Sequence, residues 1–180
     1  MNWARIRTNF WPIFSSAVLL FLFCFAIYKL LHQTRELVDR VIAYDIARLE
    51  TIFRDIQAKC DIIDFEYEKN YIDFLNVIKF VGSQLGPMNL MHPERWPGAY
   101  LNEKLTVQQK PYAVLETKNG YYIVPGDGVK LSNGTVIGKD IVLSRDSDIE
   151  NLIERGVLKI GDFVLAAKLP TKGAYTKAQA

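Results

Sequence analysis

The longest apolar stretch of the chain lies near its start, where residues 8–28 contain no charged side chain between Arg7 and Lys29. A helix rises about 1.5 Å per residue, so this run reaches roughly 30 Å, the thickness of a bilayer's hydrocarbon core. The pattern predicts a transmembrane helix over residues 11–31, preceded by a short tail over residues 1–10. The residues chosen to define this anchor are Trp11, Leu19, Leu20, Phe21 and Tyr28.

The uncharged run also bears on where the protein resides. It is longer than the apolar region of a signal peptide, and no small-residue cleavage site follows it, which favours an anchor that is retained. Basic residues stand on both sides of the run, so their distribution gives no clear orientation. A single anchor ahead of a large C-terminal body favours a single-pass membrane protein whose body is periplasmic or otherwise extracytoplasmic.

Beyond the anchor, apolar residues follow a helical period. From Ile42 to Tyr67 they recur at alternating steps of four and three, and the same spacing resumes from Tyr71 to Leu85. This heptad pattern predicts an amphipathic helical stalk over residues 32–85. The part of this stripe nearest the anchor is assigned as an interaction seam, made of Ile42, Ile46, Leu49, Phe53 and Ile56.

Two interpretations of the stripe stay open. It is either the inner face of a helix that packs on the protein's own sheet, or a surface for copies of the chain or a partner helix. We expect the part near the anchor to be the assembly surface, because little sequence remains to cover it. The distal part, with Ile78 and Val81, is expected to pack on the sheet.

The second half of the chain carries strand and turn signals. Asn119-Gly120 and Asn133-Gly134 each stand between β-rich runs and predict two hairpins. Asp148 is placed to cap a short helix that begins at Ile149. These signals predict a loop plus an antiparallel β-sheet head over residues 86–169, followed by a flexible tail over residues 170–180. The expected fold class is therefore α+β, with helix first and sheet after it.

Composition and chemistry narrow the possible functions. The chain has 180 residues, of which 49% are apolar and 23% charged, as in folded proteins. Its net charge of +2 gives no basic footprint for nucleic acid. Histidine occurs only at His32 and His92, and no glycine-rich phosphate-binding motif is present. We therefore expect no catalytic site, cofactor, metal or small-molecule substrate. Cys24 lies in the apolar run and Cys60 on the stripe, so the body has no disulfide framework.

The order of parts resembles that of type IV pilins and type II secretion pseudopilins, in which an N-terminal membrane helix continues as an amphipathic helix and precedes an antiparallel sheet. The string from Trp96 to Leu101, Trp-Pro-Gly-Ala-Tyr-Leu, is similar to a stretch that precedes the sheet in major pseudopilins. The family's processing glycine and helix glutamate have no counterpart, since the first glycine is Gly82 and the first acidic residue Glu36. The resemblance implies a filament or assembly subunit without enzymatic activity.

The leading hypothesis is a non-enzymatic, membrane-anchored structural or assembly subunit of a multiprotein envelope complex, with other subunits or copies of itself as partners. The alternative is a single-span ligand-sensing ectodomain that signals through a partner membrane protein. Only about ten residues precede the predicted span, too few to fold into an output domain, which disfavours the alternative.

Overall fold

A long helix opens the chain in a computed structural model of the protein. This helix, α1, spans Trp3–Cys60. The structure describes residues 3–171 and, among these, the side chains of residues 14–30 and 37–171. The chain divides into unit 1, Met1–Leu37, and unit 2, Val38–Ala180. The side chain of Trp11 and most of the predicted tail at residues 170–180 lie outside what the structure describes.

Unit 1 is helical where it is described, including residues 3–10 of the segment expected to be a tail. Among the described residues, no helix combines the length and the apolar character that crossing a bilayer requires. The predicted transmembrane helix at residues 11–31 is therefore wrong, and so is the single-pass placement with a periplasmic body.

Unit 2 combines the C-terminal part of α1 with antiparallel strands and a short helix, so the α+β assignment is confirmed. A single 3₁₀ turn occupies Pro93–Arg95, and the second α-helix, α2, spans Ile149–Glu154. The strands are β1 Ile62–Phe65, β2 Lys69–Tyr71, β3 Gln84–Leu85, β4 Met88–Leu90, β5 Thr106–Val107, β6 Lys110–Thr117, β7 Gly120–Pro125, β8 Lys159–Ile160, β9 Phe163–Val164 and β10 Ala167–Lys168.

These strands form three antiparallel groups. The largest sheet has the order β10-β7-β6-β2, with β5 paired to β6. A second sheet has the order β1-β4-β3, and β8 pairs with β9 alone. The central pair is β6 with β7, whose register runs from Tyr112 opposite Pro125 to Thr117 opposite Gly120. Every residue of β7 is buried, so this hairpin lies at the centre of unit 2.

The helical stalk predicted for residues 32–85 stops early, because α1 ends at Cys60 and strands follow. Asp61 adopts a positive φ of 52°. The carbonyl oxygens of Cys60 and Asp61 then accept hydrogen bonds from the backbone N–H groups of His92 and Met91, both at 2.9 Å. A segment thirty residues later in the chain thus satisfies the helix end, and local spacing carries no sign of it.

Both predicted hairpins are confirmed, with one shift at the first turn. The Asn133-Gly134 turn is flanked by a bridge between Lys130 and Val136. In the first hairpin Thr117 pairs with Gly120, so Lys118 and Asn119 form the loop and Gly120 begins β7. Gly120 has φ 119°, whereas Asn119 is not among the described positive-φ residues. A two-residue Asn-Gly turn of the common hairpin type needs positive φ at both residues, whereas here only the glycine needs that freedom.

In unit 2, a hydrophobic core joins the C-terminal part of α1 to the sheets. Phe53 lies near its centre, with its ring 6.2 Å from that of Phe65 and 6.5 Å from that of Phe74. The predicted short helix is confirmed as α2, where the Asp148 carboxylate accepts a hydrogen bond from the backbone N–H of Asn151 at 3.1 Å. This cap satisfies one of the unpaired donors of the first turn.

Candidate functional site

The most unusual surface of the molecule is the apolar side-chain layer of the unit 1 helix. Leu19 is 67% exposed and Phe21 71% exposed, and their neighbours on all sides of the helix are similar. A helix that is apolar all round is normally buried. The large apolar side chains exposed between residues 14 and 30 are Phe14, Val18, Leu19, Leu20, Phe21, Leu22, Phe23, Phe25, Ile27, Tyr28 and Leu30. Four of the five anchor-defining residues belong to this layer, the fifth being Trp11.

The predicted interaction seam occupies a different environment. Ile42, Ile46, Leu49, Phe53 and Ile56 are between 0 and 2% exposed, and all belong to the core of unit 2. This burial agrees with the first of the two interpretations, in which the stripe packs on the protein's own sheet. The side chains are already covered within the chain, so they offer no contact area to a partner in this structure.

Two tyrosine–carboxylate pairs connect α1 to the rest of unit 2. The Tyr112 hydroxyl donates to Oδ2 of Asp45 at 2.8 Å, and the Tyr100 hydroxyl donates to Oδ2 of Asp55 at 2.7 Å. Burial, followed by the carboxylate bond, raises the pKa of both tyrosines. The hydrogen bond from Lys59, followed by that from Tyr100, lowers the pKa of Asp55. Both hydrogen bonds therefore hold α1 against the rest of unit 2.

Asp39 is another buried acidic residue of α1. It is 1% exposed, and its Oδ1 accepts a hydrogen bond from the backbone N–H of Ser132 at 3.1 Å. Its Oδ2 is buried without a hydrogen-bond partner among the described residues. The contact attaches α1 to the second hairpin turn.

An exposed apolar loop occupies the segment that the sequence predicts to be a helix packed on the sheet. Ile78 is 67% exposed and Val81 99% exposed, so the expectation that they pack on the sheet is wrong. The loop rests on an aromatic cluster in which Trp96 donates from Nε1 to the carbonyl of Val77 at 3.1 Å. The Trp96 ring lies edge-on to Phe80 at 5.9 Å. The aromatic cluster therefore holds the loop in place, and the side chains of Ile78 and Val81 are exposed to solvent.

A groove of about 390 Å³ lies beside α2. Its walls combine apolar and charged side chains that all come from the segment 140–157. The residues that line the groove are Asp140, Ile141, Val142, Ser147, Asp148, Asn151, Leu152, Arg155 and Val157. Asp140 and Asp148 each use one carboxylate oxygen to accept a backbone N–H, from Val136 and Asn151 respectively.

The reactive residue types are dispersed over the described part of the chain. The side chain of His92 lies 3.3 Å from Glu94 at the surface, whereas the side chain of His32 lies outside the described set. Cys60 is buried, and burial raises the pKa of its thiol, which disfavours the nucleophilic thiolate. Within the described residues, no cluster of three or more His, Cys, Asp or Glu side chains has the arrangement of a metal site.

Comparisons with models of known protein families, with curated proteins and with solved structures find no match to this chain.

Proposed function

We propose that the protein is a non-enzymatic assembly subunit of a multiprotein complex, and that the helix of unit 1 contacts helices of neighbouring subunits. One observation carries this proposal: the large apolar side chains of this helix, Leu19 to Phe25 above all, are exposed on every side. Exposed apolar patches of this size mark interaction surfaces in folded proteins. The simplest partners are copies of the same chain, because each copy brings an identical apolar helix.

The energetic gain from covering the helix is large enough to support association. Complete burial of one large apolar side chain contributes roughly 1.5 to 3 kcal/mol. Leu19, Leu20, Phe21, Leu22, Phe23 and Phe25 are all more than half exposed, so covering these six would contribute on the order of 10 kcal/mol. That is comparable with the roughly 4 to 15 kcal/mol lost in translational and rotational freedom on binding.

The distribution of these side chains also bears on the number of neighbours. A coiled-coil dimer covers one stripe of each helix at a and d positions and leaves the opposite face in water. Here the apolar residues continue around the helix, as in a helix buried inside a bundle. We therefore expect each unit 1 helix to contact more than one neighbour. The resemblance to pilins and pseudopilins agrees with such a role and stays a prediction.

The test compares the full chain with Leu20→Glu/Phe23→Glu by sedimentation velocity over a range of concentrations. We expect the unchanged chain to form oligomers and the double variant to sediment as a smaller species, with unit 2 still folded by circular dichroism. Val81→Glu is the matched control, because it also charges an exposed apolar residue, but in unit 2. A monomeric unchanged chain would refute the proposal, as would binding to protein-free lipid vesicles without self-association.

A further inference from the structure

The groove beside α2 is an open depression lined by both apolar and charged side chains. Its volume of about 390 Å³ falls within the range of roughly 300 to 1,000 Å³ that is typical of ligand pockets. Such pockets combine apolar walls with a few polar groups that set orientation. We propose that this groove binds a small zwitterion with an apolar side chain, a free α-amino acid or a dipeptide, independently of the assembly role.

The charges of the groove favour a ligand that carries both signs. Arg155 takes part in none of the ion pairs formed within the described part of the chain, so its guanidinium is available to a carboxylate. Asp140 and Asp148 each keep one carboxylate oxygen that accepts no backbone hydrogen bond. A ligand with only negative charge would meet two aspartates, and one with only positive charge would meet Arg155.

The positions of these groups along α2 place donors and acceptors within reach of one ligand. Asp148 precedes the helix, Asn151 lies in it and Arg155 follows its last residue. Residues separated by three or four positions are neighbours on one helix face. Both Asn151 and Arg155 line the groove, so we assign the ligand's carboxylate to these two donors and its ammonium group to the aspartates.

The apolar part of the groove accounts for the side chain of the ligand. Val142 is 69% exposed although it lines the groove. Leu152 and Val157 are partly buried and pack against the core, so they provide a fixed apolar wall. A branched aliphatic side chain would cover Val142 against this wall.

The test is isothermal titration calorimetry of the full chain with L-leucine and with the dipeptide Leu-Leu, which separates the two ligand sizes. We expect at least one of them to bind. N-acetyl-leucine, which lacks the ammonium, and leucinamide, which lacks the carboxylate, should each bind at least about ten-fold more weakly, since each loses a charge-assisted hydrogen bond.

Variants assign the binding to the groove. Arg155→Gln should weaken the preferred ligand about ten-fold or more and leave leucinamide unchanged. Lys159→Gln removes an exposed charge that does not line the groove and should change neither. Absence of binding by both L-leucine and Leu-Leu would overturn the proposal. Binding of either single-charge analogue as tightly as the preferred ligand, or equal effects of the two variants, would overturn it as well.

Discussion

Tyr112 donates a hydrogen bond from its hydroxyl to Oδ2 of Asp45 across 2.8 Å, inside the core of unit 2. Tyr112 belongs to β6 and is fully buried, whereas Asp45 belongs to α1 and is 7% exposed. Each group satisfies a polar atom that would otherwise be buried without a partner. The pair therefore holds α1 in one position on the central hairpin, at a point where apolar packing alone leaves more freedom.

Removing the donor from this pair should cost stability. Tyr112→Phe keeps the ring in place but leaves the Asp45 carboxylate buried without its partner, which we expect to lower the free energy of unfolding by about 1 to 3 kcal/mol. Urea denaturation of the full chain measures the change. Tyr44→Phe is the control, because Tyr44 lies on the same helix and is 70% exposed. Equal stability of the two variants would contradict a structural role for the hydrogen bond.

The buried tyrosines should make the protein sensitive to alkali. Burial raises the pKa of Tyr112, Tyr121 and Tyr122 above the ordinary value of 10.0. A raised folded-state pKa means that the stabilisation is complete below about pH 10 and is lost as the pH rises beyond it, because the unfolded chain then releases protons that the folded chain keeps.

This alkaline loss should be about 1.4 kcal/mol per pH unit for each tyrosine that stays protonated in the folded state. Urea denaturation between about pH 8 and pH 11 measures the slope. Tyr112→Phe should reduce the slope by the contribution of one proton. A free energy of unfolding that stays constant up to pH 11 would refute this prediction.

The sequence predicted local features of unit 2 well and the extent of α1 poorly. The Asn119-Gly120 and Asn133-Gly134 turns and the Asp148 cap depend on nearby residues alone, so they could be found from short motifs. The heptad spacing predicts that the helix continues past Cys60 with Ile63 and Tyr67 on its buried face, but both residues are exposed. The buried residues there are instead Ile62 and Phe65, the first and last residues of β1.

The reason lies in contacts that are distant along the chain. The end of α1 is determined by hydrogen bonds from Met91 and His92, and a spacing of three and four over a few residues fits a bulged strand as well as a helix. The exposed apolar layer of unit 1 is visible as an uncharged run, but the sequence does not reveal what covers it. The residues that line the groove at Arg155 all lie between positions 140 and 157, and their spacing matches no motif of a binding site.

Gly126 should be intolerant of any side chain. A Cβ atom there would lie 2.0 Å from the carbonyl oxygen of Pro111, which is backbone of the central sheet and cannot move aside. We expect Gly126→Ala to destabilise the chain by about 3 kcal/mol, at the upper end of the cost of overpacking. Gly134→Ala is the comparison, since a Cβ atom at Gly134 would meet no atom within 4 Å and only the φ of 90° is unfavourable.

Gly134→Ala should therefore cost about 1 kcal/mol, the strain of a positive φ for a residue with a side chain. Thermal and urea unfolding of both variants give the ranking. If Gly134→Ala proved the more damaging substitution, the close approach of Gly126 to Pro111 would not exist in solution.

The last prediction compares the buried stripe of α1 with the exposed loop that contains Val81. The spacing pattern predicts the opposite arrangement, with an accessible stripe near Leu49 and a packed segment at Val81. Leu49 is fully buried and Val81 is 99% exposed. Leu49→Ala should cost about 2 to 5 kcal/mol through lost burial and the cavity left behind, and Leu49→Glu should prevent folding of unit 2 because it buries an unpaired charge. Val81→Glu should change the free energy of unfolding by less than about 0.5 kcal/mol. Urea denaturation of the full chain measures all three. If Val81→Glu lowered the free energy of unfolding as much as Leu49→Ala does, the loop would pack against the rest of unit 2. The assignment of Ile78 and Val81 to an exposed apolar surface would then be wrong.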